Sequence, residues 1–163
     1  MMWVSHAMLV QGLTLGVLLG LIAAVDARHM IIPDVLNLAL AATGIAFHIP
    51  SGIGAVVTQG AFAILVFVLI YGIRSAHIQI TGRVGLGLGD VKMMAAAACW
   101  IAPLLLPVLL FVASAGALAV VGCLALAGFS TDRNTRVPFG PFIAFGLACT
   151  WAFEQFSLMD VGS

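Results

Sequence analysis

Charge is what this sequence has least of: 7% of its 163 residues are Asp, Glu, Lys or Arg, while 63% are hydrophobic. A soluble domain surrounds its core with a charged shell of roughly a quarter of its residues. Six Lys and Arg with six Asp and Glu cannot build one. The surplus apolar surface must face lipid, which makes the chain an integral membrane protein. Net charge is zero, so a basic footprint for nucleic acid is excluded.

Other absences narrow the reading further. No Lys or Arg precedes the first apolar run, whereas a cleaved signal peptide carries a positive n-region and a small-x-small cleavage site. The first run is therefore expected to stay as a helix. Cys99, Cys123 and Cys149 each lie inside an apolar stretch, and no two are spaced as C-x-x-C. Metal ligation and disulfides need clustered, reachable thiols, so these read as small hydrophobes. No metal and no cofactor is expected.

What is present is a series of apolar runs. Backbone groups cannot stay unpaired in lipid, so the fold class is all-α. Candidate spans are Val4–Val25, Val35–Ile49, Ile53–Ile73, Val91–Gly128 and Phe139–Phe156, separated by turns at Ile32-Pro33-Asp34, Pro50-Ser51-Gly52 and Pro138-Phe139-Gly140-Pro141. The stretch Val91–Gly128 is about 57 Å long as a helix. That is too long for one crossing of a ~30 Å core and slightly short for two.

Pro103 and Pro107 favour a hairpin there, and charge placement agrees. With the hairpin, Arg28, Arg74, Arg83, Lys92, Arg133 and Arg136 all fall on one side; with a single helix, Arg133 and Arg136 do not. The positive-inside rule prefers the hairpin, with both termini outside. The expectation is a bundle of six transmembrane helices forming a single domain over residues 1–163. The helix after Asp90 is then short, about twelve residues before Pro103.

Most of the acids have ordinary readings. Asp132 falls in a polar loop, Glu154 and Asp160 near the C-terminal interface, and Asp34 at a helix N-cap position after Pro33. Asp26 and Asp90 differ: one ends the first span, the other opens the fourth, and both fall at the same membrane face. Ionisable groups there are costly and suggest function. Two close carboxylates share a proton and can activate a water for peptide hydrolysis. Alternatively Asp26 pairs with Arg28 and Asp90 with Lys92 as interface anchors.

Gly82, Gly85, Gly87 and Gly89 precede Asp90. They allow positive φ or close backbone approach, and no Gly-Lys-Ser/Thr follows to make a phosphate cradle. A loop admitting an extended peptide fits them better. A proton-coupled transporter would place its acids near the midplane among repeats, and none are visible. A non-enzymatic component of a secretion machine would not need the glycine-rich loop.

Three segments together resemble the type IV prepilin peptidase family of GxGD aspartic proteases. They are Asp26-Ala27-Arg28 with Ile32-Pro33-Asp34, then Gly87-Leu88-Gly89-Asp90-Val91-Lys92, then Val137-Pro138-Phe139-Gly140-Pro141-Phe142. The resemblance implies Asp26 and Asp90 as the catalytic pair. It places Gly87, Gly89, Lys92, Pro138 and Gly140 in the substrate-side loops, although Lys92 also reads as a snorkelling anchor.

The implied substrate is a prepilin or pseudopilin whose short basic leader is cut on the cytoplasmic side of the bacterial inner membrane. Bifunctional members carry an N-terminal region with paired cysteines and methylate the new N-terminus. That region has no counterpart here. The chain looks like the short, peptidase-only type of Flp/Tad pilus systems, and methyltransferase activity is not expected.

Overall fold

The computed structural model describes the backbone of residues 2–127 and 138–161, and the side chains of residues 6–127 and 138–157. Among these residues there are six α-helices and no strand: α1 Met2–His29, α2 Asp34–Ala46, α3 Ile53–Thr81, α4 Leu88–Ala97, α5 Leu106–Leu126 and α6 Gly140–Val161. Asp132, Arg133, Arg136 and Val137 lie outside the described residues. The chain is an all-α, multi-pass membrane protein. His6–His29, Ile53–Thr81 and Pro103–Leu126 are each long and apolar enough to cross a bilayer. Their outer faces are apolar and exposed, as at Leu13, Val17, Ile64 and Phe111, which suits contact with lipid rather than water.

Helix ends follow local chemistry with two exceptions. The first helix runs past Val25 and carries Asp26 into its last turns, where Arg28 and His29 complement the C-terminal dipole. Pro33 then disfavours helical backbone at Ile32 and restarts the chain as α2. Pro33 itself occupies the N-cap position, so Asp34 sits in the first turn and makes no cap bond. The expected Asp34 cap is thereby corrected. α3 continues past Ile73 to Thr81, because nothing breaks it before Gly82, whose φ of 66° closes the helix.

The second exception is α4. The hairpin in Val91–Gly128 is present, but α4 ends at Ala97, ahead of Pro103. Side chains of two other helices, together with the turn's own Trp100, hold the chain in the turn that follows. Gln59 of α3 donates to the carbonyls of Ala98 at 2.6 Å and Ile101 at 2.8 Å. Trp100 Nε1 donates to Leu40 O of α2, and Glu154 of α6 accepts from the Ala102 amide. These partners satisfy groups that continued helix would otherwise satisfy. Glu154, expected as an interface charge, is thus tied into this turn.

The core gathers around the short α4, which buries Val91, Met93, Met94, Ala96 and Ala97. Leu15, Leu19 and Ile22 of α1, Leu40 of α2, Val66 of α3, Leu109 of α5 and Ile143 and Leu147 of α6 are buried as well. Small residues allow close approach: a Cβ on Gly44 would stand 2.8 Å from Trp100 and Cys99, and one on Gly146 2.9 Å from Leu109 O. The consequence for function is positional. The C-terminal turns of α1 and the start of α4 meet at one end of the bundle.

Candidate active site

The helix that ends near Asp26 and the helix that begins near Asp90 bring the two acids into one cavity of about 290 Å³. Met30, Ile31, Ile32, Asp34, Gly87, Leu88, Gly89 and Lys92 complete its lining. Asp26 is buried at 4% exposure, and Asp90 is half-buried. Among the described residues no ion pair joins Asp26 to Arg28 or Asp90 to Lys92, whose ion pair is with Asp34.

Lys92, on the wall of the same cavity, pairs with Asp34. Its Nζ donates to Asp34 Oδ1 and Oδ2 at 2.7 and 2.8 Å, tying α4 to the first turn of α2. Asp34 and Lys92 also line a larger groove of about 550 Å³ between α2, α3 and α4. Its other walls are mainly apolar, with Val35, Leu38, Ile64 and Phe67 among them. His29 and His77 are exposed and are not part of the dyad cavity.

The Pro138–Gly140 segment reaches the site from the far end of the chain. The Gly140 amide donates to Asp26 Oδ2 at 2.8 Å. A Cβ there would lie 2.6 Å from the same oxygen, so only glycine fits. Pro138 is half-buried beside this contact and starts no helix itself; α6 begins at Gly140.

The loop glycines act mainly through space rather than through φ. Of Gly82, Gly85, Gly87 and Gly89, Gly82 alone has positive φ. A Cβ on Gly87 would meet Asp90 Oδ2 at 2.9 Å, and one on Gly89 would meet Ile32 at 3.2 Å. Of the two readings, positive φ and close backbone approach, Gly87 and Gly89 show the second. Gly87 leaves room for the carboxylate, and Gly89 lets α4 press against the α1–α2 turn.

Two polar side chains that the motifs do not contain touch this region. Asn37 Nδ2 of α2 donates to Gly89 O at 3.3 Å, and Arg74 Nε of α3 donates to Leu86 O at 2.9 Å. A polar residue inside the apolar run Val35–Ile49 was a visible signal for Asn37. Arg74 carried none beyond its charge. Among the described residues no group of three or more His, Cys, Asp or Glu is placed to hold a metal ion, and no ligand set is assigned.

Comparison with known proteins places the chain in a family. A family model described as the type IV leader peptidase family matches residues 13–126. Curated relatives named prepilin leader peptidase/N-methyltransferase include those of Dichelobacter nodosus, Pseudomonas aeruginosa and Xanthomonas campestris pv. campestris. The first is 30% identical over 120 residues, covering 74% of this chain and 40% of that protein. The second is 31% identical over 153 residues, covering 91% and 50%. The third is 31% identical over 131 residues, covering 75% and 42%. The chain thus spans about half the length, or somewhat less, of the curated relatives it matches. No solved structure matches it.

Proposed function

The chain belongs to the type IV leader peptidase family, and from that premise we propose that it is an aspartic endopeptidase with Asp26 and Asp90 as its catalytic pair. The supporting observation is that two acids far apart in sequence line one small cavity where α1 ends and α4 begins. Two carboxylates facing one small cavity can share a proton between them. The ionised member takes a proton from a water held between them as the water oxygen attacks the scissile carbonyl carbon. The protonated member donates to the carbonyl oxygen. When the C–N bond breaks, a proton passes to the departing amine, and the dyad again holds one proton.

The proposed substrate is a prepilin or pseudopilin of the Flp type, cut on the cytoplasmic side of the inner membrane. The apolar groove beside Asp34 and Lys92 offers room for the hydrophobic stretch that follows the scissile bond. Peptidase chemistry alone is proposed. The N-methyl transfer in the relatives' names is not part of the proposal.

Co-expression with candidate prepilins, followed by N-terminal sequencing and mass measurement of the product, tests this reading. Leader removal without an added methyl group is expected. Asp26→Asn and Asp90→Asn should each abolish cleavage while the protein still inserts. Asparagine at residue 26 keeps an oxygen that can accept the Gly140 amide, so folding should survive. Asp132→Asn should cleave normally. Near-normal processing by either dyad variant would sink the assignment.

A further inference from the structure

The segment that carries Asp90 is gripped on both sides of its turn by side chains from other helices. Arg74 of α3 holds the carbonyl of Leu86, and Asn37 of α2 holds the carbonyl of Gly89. Between those carbonyls lie Gly87, where a Cβ would stand 2.9 Å from Asp90 Oδ2, and Leu88, which opens α4. We propose that Arg74 and Asn37 are positioning residues that clamp the Leu86–Gly89 turn and so fix Asp90 relative to Asp26. This inference rests on the dyad reading above.

The physical case begins with the loop itself. It joins Gly82 to Gly87 through two further residue pairs, and its glycines give it little intrinsic stiffness. Arg74, Asn37 and the contact of His77 with Gly85, where a Cβ would stand 2.9 Å from Nε2, anchor it to two other helices. Asn37 is 5% exposed, and among the described residues its Oδ1 has no partner. A buried amide held by one bond of its donor end is an unusual expense in a core. A role in holding Gly89 accounts for its presence. Arg74 reaches its carbonyl through Nε, which leaves the terminal guanidinium nitrogens outside this bond.

That atom makes a clean test possible. Glutamine places an amide nitrogen the same number of bonds from Cα as arginine Nε, without the charge; methionine has similar length and no donor. Arg74→Gln, Arg74→Met and Asn37→Leu are compared in the full chain for kcat and KM on a leader-bearing prepilin. Hydrogen exchange is followed across residues 82–90. Misplacing a catalytic group by a fraction of an ångström is costly, so Arg74→Met and Asn37→Leu should lose roughly tenfold or more in kcat with KM within about threefold. Exchange in 82–90 should rise while that of α5 stays unchanged, and Arg74→Gln should recover most of the rate.

Equal losses in Arg74→Gln and Arg74→Met would overturn the clamp at Arg74, because charge rather than the hydrogen bond would then matter. Unchanged exchange and kcat in Arg74→Met and Asn37→Leu would overturn it altogether. Raised exchange in a protein whose wild type cleaves no prepilin would overturn the peptidase reading and leave the hold on the loop standing.

Discussion

Gly140 donates its amide to Asp26 Oδ2 at 2.8 Å, joining the start of the last helix to an acid in the last turns of the first. The bond leaves no room for a side chain, since a Cβ would stand 2.6 Å from that oxygen. Gly140→Ala should therefore displace Asp26, lower activity by about a hundredfold and cost roughly 1–3 kcal/mol. Gly16→Ala is the control, because a Cβ there meets nothing within 4 Å. Replacing that helical glycine should leave activity intact and stability equal or higher by up to about 1 kcal/mol. Initial cleavage rates and thermal midpoints in detergent separate the two; matching losses would remove any special role for Gly140.

The glycine-rich loop gives a second contrast. Gly87→Val and Gly89→Val place bulk against Asp90 and Ile32, so cleavage should fall far more than stability. Gly52, at the opposite turn, has φ of 98° and open space around it. Gly52→Val should cost about 1–2 kcal/mol through backbone strain and leave catalysis largely intact. If Gly89→Val loses activity and stability in equal measure, the residue serves packing alone.

Lys92 should prove dispensable for the chemistry. It pairs with Asp34, whose side chain is 73% exposed, and exposed pairs contribute about 0–1 kcal/mol. Lys92→Met should change kcat less than about threefold, and Asp34→Asn should do no more harm to stability than the pair is worth. A loss of kcat comparable with Asp90→Asn would place Lys92 in the mechanism after all.

Sidedness is open to direct labelling. In a background without Cys99, Cys123 and Cys149, cysteines at Ser75 and Thr131 should react only from the cytoplasm. Those at Ser51 and Ser163 should react only from outside. The motive is the one-sided placement of the cations. Thr131 lies outside the described residues, so its side rests on charge alone. Periplasmic labelling at Thr131 would break the proposed orientation.

Much of this protein was written locally. Apolar runs marked the helices, because lipid offers unpaired backbone no partner; Pro33 marked a limit because its ring fixes φ, and Gly52 because it accepts positive φ, while α3 ran on from the expected Ile73 to Thr81. The acids at the ends of two spans, with glycines before one of them, were legible as a candidate dyad for the same reason: charge at the membrane is too costly to be casual.

What the chain could not reveal alone was who touches whom. Lys92 sits two residues from Asp90 and yet pairs with Asp34 on another helix. α4 stops at Ala97, and the turn that follows is held by Gln59 and Glu154 from other helices and by its own Trp100, which donates to α2. Gly140 and Arg74 reach the site through packing that brings distant segments to one end of the bundle. Periodicity and charge along a sequence report the medium around each segment. Hydrogen bonds between segments depend on relative position, which tertiary structure alone decides.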